Sequence, residues 1–362
     1  MPEIMDDLND LSTLAESWKR LEVNQQAPPQ SYLWTQACVE ALCDNAIPNM
    51  FVQRTGEVSI AIAPLIRQKS ALATLELLGV GTLYEPMDFL YSDEVALEAL
   101  LRKIQKSGAP LLLGRIPQDS PTVQLIDRLF RGHALILTQP ADACPYIALD
   151  QRWLDPLALF SADRRSAFRR AENKAAGLGE VSYEILSPTP NTLAAVLDEA
   201  WHVEAQSWKQ QAGTALLVDK RRSDFYRKYA AGLCAQGLLR ICFLRINGWP
   251  IAMQMAVETA SSFWLLKIGF DETYAHLSPG NLLLRHTVQY AAAKGLASFE
   301  FLGTADDWTQ LWTTQERACI QVKIYPYSAS GLLSLASSAM QKMGSRAKER
   351  YAKAADRLEK TS

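Results

Sequence analysis

Residues 263–302 join an apolar run, FWLLKIGF, to a polar loop, DETYAHLS, a segment PGNLLLRHTVQYAAAK, a Gly stop and a second apolar run, ASFEF. The spacing predicts strand, loop, helix and strand in that order. Ser278 is a helix-capping residue type, and Pro279 suits the first helical position, where its missing N–H costs nothing. Gly280 follows, so no side chain covers the N–H groups of Gly280, Asn281 and Leu282. A bare helix start directly after a strand offers unpaired donors and the positive end of the helix dipole to an anion. It suits the phosphates of a nucleotide-tailed cofactor such as an acyl-CoA. An ordinary strand–helix–strand crossover with a capped helix fits the same residues.

Other side chains with chemical potential lie around this segment. The stretch SADRRSAFRRAENKAAGLGE predicts a helix capped by Ser161, with Arg165 and Arg169 one turn apart and Arg170 and Lys174 likewise. That face is either a solvated charged surface or a grip for phosphate or phosphosugar. In LAAVLDEAWHVEAQSWKQ, Trp201, Glu204 and Trp208 share one helical face. Burial of that face would raise the Glu204 pKa and suit it as a general base. The alternative is a partly exposed acid beside aromatic anchors. His202 points off that face. Asp306 and Asp307 follow the end of a predicted strand, where α/β sites gather, though they also suit a helix cap. Trp308 and Trp312 fit a stacking wall for a sugar ring or a place in the core. Lys267 fits a phosphate, a carbonyl or a salt bridge at the end of its strand.

The composition excludes several classes. The chain has 362 residues, about half of them apolar, and nine Trp, which predicts a folded protein of more than one core. A net charge of −2 gives no basic field for nucleic acid. The acidic, polar first residues predict no secretory signal, and no apolar run approaches the roughly 20 residues a bilayer span needs. A cytoplasmic location is expected. Cysteines at 38, 43, 144, 234, 242 and 319 show no C-x-x-C spacing, and His133, His202, His276 and His286 are scattered. Reduced thiols and no metal are expected. No G-x-S-x-G elbow signals an acyl-enzyme.

The elements that must position these residues can be read along the chain. The first half gives a helix near Leu11–Val23, a Pro28-Pro29 break and a helix carrying Trp34, Cys38 and Leu42. A hairpin turning at Thr55-Gly56, a strand LELLGV, a helix Val95–Lys106, a strand APLLLGRI and a helix Thr122–Phe130 come next. Pro140, Pro145 and the stretch near Asp150 predict a boundary. The second half gives the Arg-rich helix, a strand VSYEILS, the Trp201 helix, a helix Asp224–Ala235 and a hairpin turning at Asn247-Gly248. After residue 302, GTADDWTQLW predicts a loop and short helix, and ACIQVKIYPY a last strand. Residues 331–360 predict an amphipathic helix, and from Lys342 to Lys360 it carries seven Lys/Arg against three Asp/Glu. Both halves run helix, helix, hairpin, strand, helix, strand, which hints at two copies of one fold.

The run Phe270-Asp271-x-x-Tyr274-Ala275-x-x-Ser278-Pro279-Gly280, with Leu283-Leu284, Gly295-Leu296 and Phe299-Glu300-Phe301-Leu302-Gly303, resembles the acetyltransferase domain of the CelD-like, FemAB-related branch of the GNAT superfamily. The Arg164–Lys174 helix, Trp208-Lys209 and the Gly237-to-Pro250 hairpin share that resemblance. In the first half, so do Gln30-Ser31-x-x-Trp34 and Ala63-Pro64-Leu65. It spans roughly residues 28 to 326. Two departures stand out. Thr309 occupies the place of a family Lys, and the glycine loop is reduced to Ser278-Pro279-Gly280.

The resemblance implies an α/β (α+β) fold of two tandem GNAT-like domains, 1–150 and 151–330, each a mixed, mostly antiparallel sheet flanked by helices. A C-terminal helix at 331–362 completes it. It implies acetyl-CoA or another acyl-CoA as co-substrate, held by backbone groups of Leu266, Lys267, Ile268 and Gly269 at the thioester and by Ser278, Gly280, Asn281 and Leu282 at the diphosphate. Glu204, Asp306 and Asp307 are the candidate catalytic acids, and Arg169, Trp208 and Trp308 the candidate substrate contacts. The expected activity is direct N- or O-acyl transfer to an amino sugar, glycan or other cell-envelope precursor. Cell-envelope biosynthesis proteins are candidate partners, and residues 342–360 a candidate membrane-surface contact. The alternatives are an aminoacyl transferase using charged tRNA and a non-catalytic module of a polysaccharide synthesis complex.

Overall fold

The computed structural model describes residues 4–5, 8–23, 27–44, 46–69, 74–207 and 216–340. The first half runs β1 (Ile4–Met5), α1 (Leu8–Glu22), α2 (Tyr32–Leu42), β2 (Ala46–Pro48), β3 (Met50–Thr55), β4 (Val58–Ala63), β5 (Leu65–Gln68), β6 (Leu75–Leu77), α3 (Val80–Leu83), β7 (Leu90–Tyr91), α4 (Glu94–Lys106), β8 (Leu111–Pro117), α5 (Pro121–Phe130) and β9 (Ala134–Ala148). The second half runs α6 (Ala162–Ala176), β10 (Val181–Leu186), α7 (Pro190–Ala205), α8 (Lys220–Ala235), β11 (Leu239–Ile246), β12 (Trp249–Glu258), β13 (Ser262–Phe270), α9 (Pro279–Ala293), β14 (Ser298–Glu300), α10 (Asp307–Gln310) and β15 (Glu316–Pro326). A helix over 329–340 is the described part of the expected C-terminal helix; 342–360 lie outside the described residues. None of the described helices is long and apolar enough to cross a membrane.

Local chemistry accounts for many of these boundaries. Asp93 caps α4 by accepting the Ala96 N–H, and Ser120 caps α5 with Pro121 in the first turn. Asn247 and Gly248 both take positive φ, 51° and 77°, which makes the tight turn between β11 and β12. Strand β12 is apolar on both faces for a physical reason. Met253, Met255 and Val257 enter a core with α2, α7 and α8, while Ile251, Ala252 and Ala256 enter a second core with α6 and α9.

Eleven of the described strands form one sheet in the order β10-β11-β12-β13-β14-β9-β15-β8-β6-β5-β2, mostly antiparallel and flanked by helices. Each half contains one parallel pair, β6 with β8 and β13 with β14. One neighbour of each pair comes from the other half. Strand β14 is flanked by the end of β9, and β8 is flanked by β15. β9 and β15 then pair with each other at the centre. The halves thus exchange strands.

This exchange changes the expected break at Pro140 and Pro145. β9 continues through both prolines and is paired over 134–141 and 144–148. Proline removes one donor but keeps its carbonyl, and the Phe301 N–H donates to Pro145 O at 3.1 Å. The β15 register also shifts between Arg317 and Cys319, which absorbs the irregularity.

A buried cation ties the halves together. Arg115 on β8 is fully buried. Its Nε donates to Asp142 O at 2.9 Å and its Nη1 to Tyr84 O at 2.6 Å. Its Nη2 reaches Cys144 Sγ at 3.0 Å, Leu302 O at 3.3 Å and Gly303 O at 2.6 Å. The carbonyl dipoles replace the water that the charge lost. Arg115→Met is expected to leave these acceptors unpaired and to cost about 3 kcal/mol. Urea unfolding measures it, and a loss within error of zero would contradict the bridging role.

Candidate functional site: a cleft between diverging strands

The parallel strands β13 and β14 pair over Ser262–Trp264 and Ser298–Glu300 and then separate. β13 continues to Phe270, while β14 stops at Glu300. The stop has a local cause. Leu302 takes a left-handed φ of 57°, unusual for a branched residue, and turns the chain away. Arg115 holds the Leu302 and Gly303 carbonyls in that turn. The gap opens into a cavity of ≈ 570 Å³. Its walls come from β12 and β13 on one side and from Phe301, Gly303 and Trp308 on the other, with the start of α9 at its edge.

A parallel pair that splays after three residues, with a helix starting beside the gap, is a specific arrangement, and comparison with known proteins bears on it. Residues 162–310 match a family model described as an acetyltransferase (GNAT) domain. The match lies in the second half of the chain and covers less than half of its length. The whole fold resembles a crystal structure of FemX, at 11% identity and a TM-score of 0.56, covering 92% of this chain and 99% of that one. It also resembles the C-terminal domain of a putative lysylphosphatidylglycerol synthetase from Agrobacterium fabrum, at 10% identity and a TM-score of 0.54, covering 91% and 97%. A conserved protein of unknown function from Bacteroides thetaiotaomicron is similar at 10% identity and a TM-score of 0.54, covering 90% and 99%. At these identities the likeness concerns the fold. No curated protein matches the chain.

Within the matched segment, Ile268, Gly269, Ser278, Gly280 and Asn281 border the cavity, together with Asp306 and Trp308. Leu266 and Leu282 are buried, in the α7/α8 core and in the α6/α9 core respectively. Lys267 Nζ lies 4.8 Å over the Tyr226 ring.

The helix start differs in detail from the expectation. Ser278 occupies the cap position, but its φ of 51° is left-handed and its hydroxyl makes no cap bond. The N–H groups of Asn281 and Leu282 both donate to Ser278 O, at 3.0 and 3.2 Å. Leu282 closes the first regular helical bond and Asn281 shares its acceptor, so neither N–H is free as expected. That leaves the Gly280 N–H, which donates to no backbone carbonyl among the described residues. A Cβ on Gly280 would meet only Phe270 Cδ1, at 3.6 Å, so the helix start is open there.

Asn281 is fixed from the side. Its Oδ1 accepts from Trp312 Nε1 at 3.0 Å. Trp312 itself is buried edge-on to Phe160 and Phe168, with Arg164 stacked 4.0 Å over Phe160. Burial pulls the Arg164 pKa down. Trp312 is therefore a core residue. Trp308 is half-buried, edge-on to Phe301, and faces the cavity.

The candidate acids are placed apart. Glu204 is fully buried, and its Oε2 accepts the Leu216 N–H at 2.9 Å. The cavity is bordered instead by Ser207, whose hydroxyl donates to Glu204 O. Asp306 stands at the cap position of α10, and its Oδ1 accepts from Thr304 Oγ1 at 3.1 Å. Asp307 and Arg169 are exposed and do not border the cavity. Trp208 lies outside the described residues. His202 is exposed and its Nδ1 lies 2.6 Å from Asp198 O.

Two residues carry more weight in the structure than their sequence surroundings suggest. Gln254 on β12 is 3% exposed and borders the cavity, and its Oε1 has no hydrogen-bond partner among the described residues. Its signal was present: a single amide inside the apolar run WPIAMQMAVE. Glu85 comes from the first half. The residue as a whole is partly exposed, but its Oε2 is enclosed and has no hydrogen-bond partner among the described residues. Burial raises its pKa from 4.5 to about 7, against the opposing pull of Arg115 and Lys267.

Two outcomes are expected. A Cβ at Gly269 would lie 2.7 Å from Glu204 Cα, so glycine is what lets α7 press onto β13. Gly269→Ala should cost about 1–3 kcal/mol in a thermal or urea melt; unchanged stability would mean the helix is not held there. For Glu85, a folded pKa above the ordinary value means stability is full below pH 4.5 and is lost as pH rises to about 7. Glu85→Gln should match the parent at pH 4 and exceed it at pH 8, by about 2 kcal/mol. The reverse order at pH 8 would contradict the burial.

Proposed function

We propose that the protein is an acyltransferase that takes an acyl group from acyl-CoA, acetyl-CoA among them, and passes it directly to an amine or hydroxyl of a polar acceptor. The observation that carries this reading is the cleft opened where β14 leaves β13. Beyond Trp264 the β13 edge facing the gap is no longer paired to β14. An extended amide-bearing arm fits such an edge as an added strand would. Backbone N–H groups near Ile268 and Gly269 are the candidates to polarise the thioester carbonyl. Gln254 Oε1 is an acceptor suited to an amide N–H of the arm. The Gly280 N–H and the α9 dipole suit the diphosphate.

In the reaction, the acceptor nitrogen or oxygen bonds to the thioester carbon, the C–S bond breaks, and the thiolate takes up a proton. Asp306, the candidate carboxylate on the cavity wall, would accept the acceptor's proton. Glu204 is enclosed by the Leu216 backbone, which favours an orienting role for it. Trp308 suits a ring wall for an amino sugar or glycan precursor. Cytoplasmic envelope biosynthesis is the proposed setting. Aminoacyl transfer is the second reading, motivated by the fold shared with FemX and the putative lysylphosphatidylglycerol synthetase domain.

The test is calorimetry with acetyl-CoA on the parent and on Gly280→Asp. The space at Gly280 admits a side chain, so the variant should fold. A carboxylate there should weaken acetyl-CoA binding by about a hundredfold or more through like-charge repulsion. Equal affinity would remove the donor assignment. Absence of any acyl-CoA binding by the parent would favour the aminoacyl reading.

A further inference from the structure

A second cavity, of ≈ 670 Å³, lies between the halves on the other side of the Leu302 corner. Two cysteines border it, Cys144 on β9 and Cys319 on β15. They sit on adjacent antiparallel strands, beside the register shift between Arg317 and Cys319. Both border the same cavity from neighbouring strands, and the Arg115 guanidinium is 3.0 Å from Cys144 Sγ. The other described thiols have no such setting. Burial pushes the Cys38, Cys43 and Cys242 thiols up, Cys43 to about 11. Cys319 is pulled down instead, by the Cys144 thiol and by Arg115, while Cys144 is pushed up as the proton holder of the pair. Two thiols on neighbouring strands beside a guanidinium, reached through a cavity, are the setting of a reactive cysteine. Metal ligation is a poor fit, because no group of three or more His, Cys, Asp or Glu among the described residues could hold an ion.

We propose that Cys144 and Cys319 form a dithiol that hydroperoxides oxidise to a disulfide, tying the exchanged strands β9 and β15 together. The Cys319 thiolate attacks a peroxide oxygen: an S–O bond forms, the O–O bond breaks, and the departing oxygen takes up the proton that Cys319 lost. Cys144 sulfur then attacks the sulfenic acid: the S–S bond forms, and the hydroxyl leaves as water with the Cys144 proton. The two thiols lose two electrons and the peroxide gains them. This chemistry does not depend on which acyl donor the GNAT domain takes. The same Arg115 nitrogen that touches Cys144 Sγ also holds Gly303 O at the edge of the acyl cavity, so the two sites share one anchor.

The experiment treats the full chain with stoichiometric hydrogen peroxide, quenches by alkylation, and maps peptides by mass spectrometry. A linked peptide joining Cys144 to Cys319 is expected, reversed by dithiothreitol, forming about ten times faster than any oxidation of Cys43, the half-buried thiol. Cys144→Ser should stop at a sulfenic acid on Cys319 that dimedone traps, and Cys319→Ser should give none. The timed mapping of the parent stands whether or not a variant folds. Absence of the linked peptide, or oxidation of Cys43 at an equal or faster rate, would overturn the proposal.

Discussion

The guanidinium of Arg115 fixes the point on which both the fold and the site depend. It is a charge placed where water cannot reach, and it is stable there only while the carbonyls of Tyr84, Asp142, Leu302 and Gly303 face it. Those carbonyls belong to both halves of the chain. Meeting its needs therefore docks the halves and bends the chain after β14. The bend ends the ladder between β13 and β14, and the lost pairing becomes the cleft. A strand that continued straight would have closed the gap.

The exchange of β9 and β15 reinforces this geometry. Neither half has a complete sheet by itself, because one of the strands next to each parallel pair is supplied by the other. Pulling the halves apart would expose two strand edges and the Arg115 charge together. The cleft is thus mounted on rigid elements. Two of the four left-handed non-glycine positions among the described residues flank it: Ser278 at its edge and Leu302 between the lining residues Phe301 and Gly303. Strain of that kind persists where surrounding contacts over-determine it, and here Arg115 does so for Leu302.

What the sequence revealed was mostly local. The turn at Asn247-Gly248, the start of α9 at Pro279 and the apolar β13 depend on neighbours within a few residues, and all are where the spacing put them. The partner of a strand is a different matter. Nothing near Glu316 says that β15 will lie between β8 and β9, and Pro140 and Pro145 argued locally for a break that long-range pairing overrides. The helix start shows the same limit at finer scale: Ser278 has a capping side chain, yet its backbone conformation turns the hydroxyl away from that use. Arg115 and Gln254 were visible as lone polar residues in apolar runs, APLLLGRI and WPIAMQMAVE. Their meaning depends on groups far away in the chain. Glu85 carried no such mark, because its enclosure is created by docking of the halves.

Acyl transfer as proposed requires a thioester carrier along β13 with its diphosphate at the start of α9. Hydrogen–deuterium exchange with and without saturating acetyl-CoA tests it most directly. Slowed exchange is expected at the amides of 266–270 and 279–283, with little change in the first half. Binding that instead protects only the cavity between the halves, around Cys144 and Arg317, and leaves 266–270 and 279–283 unchanged would contradict it.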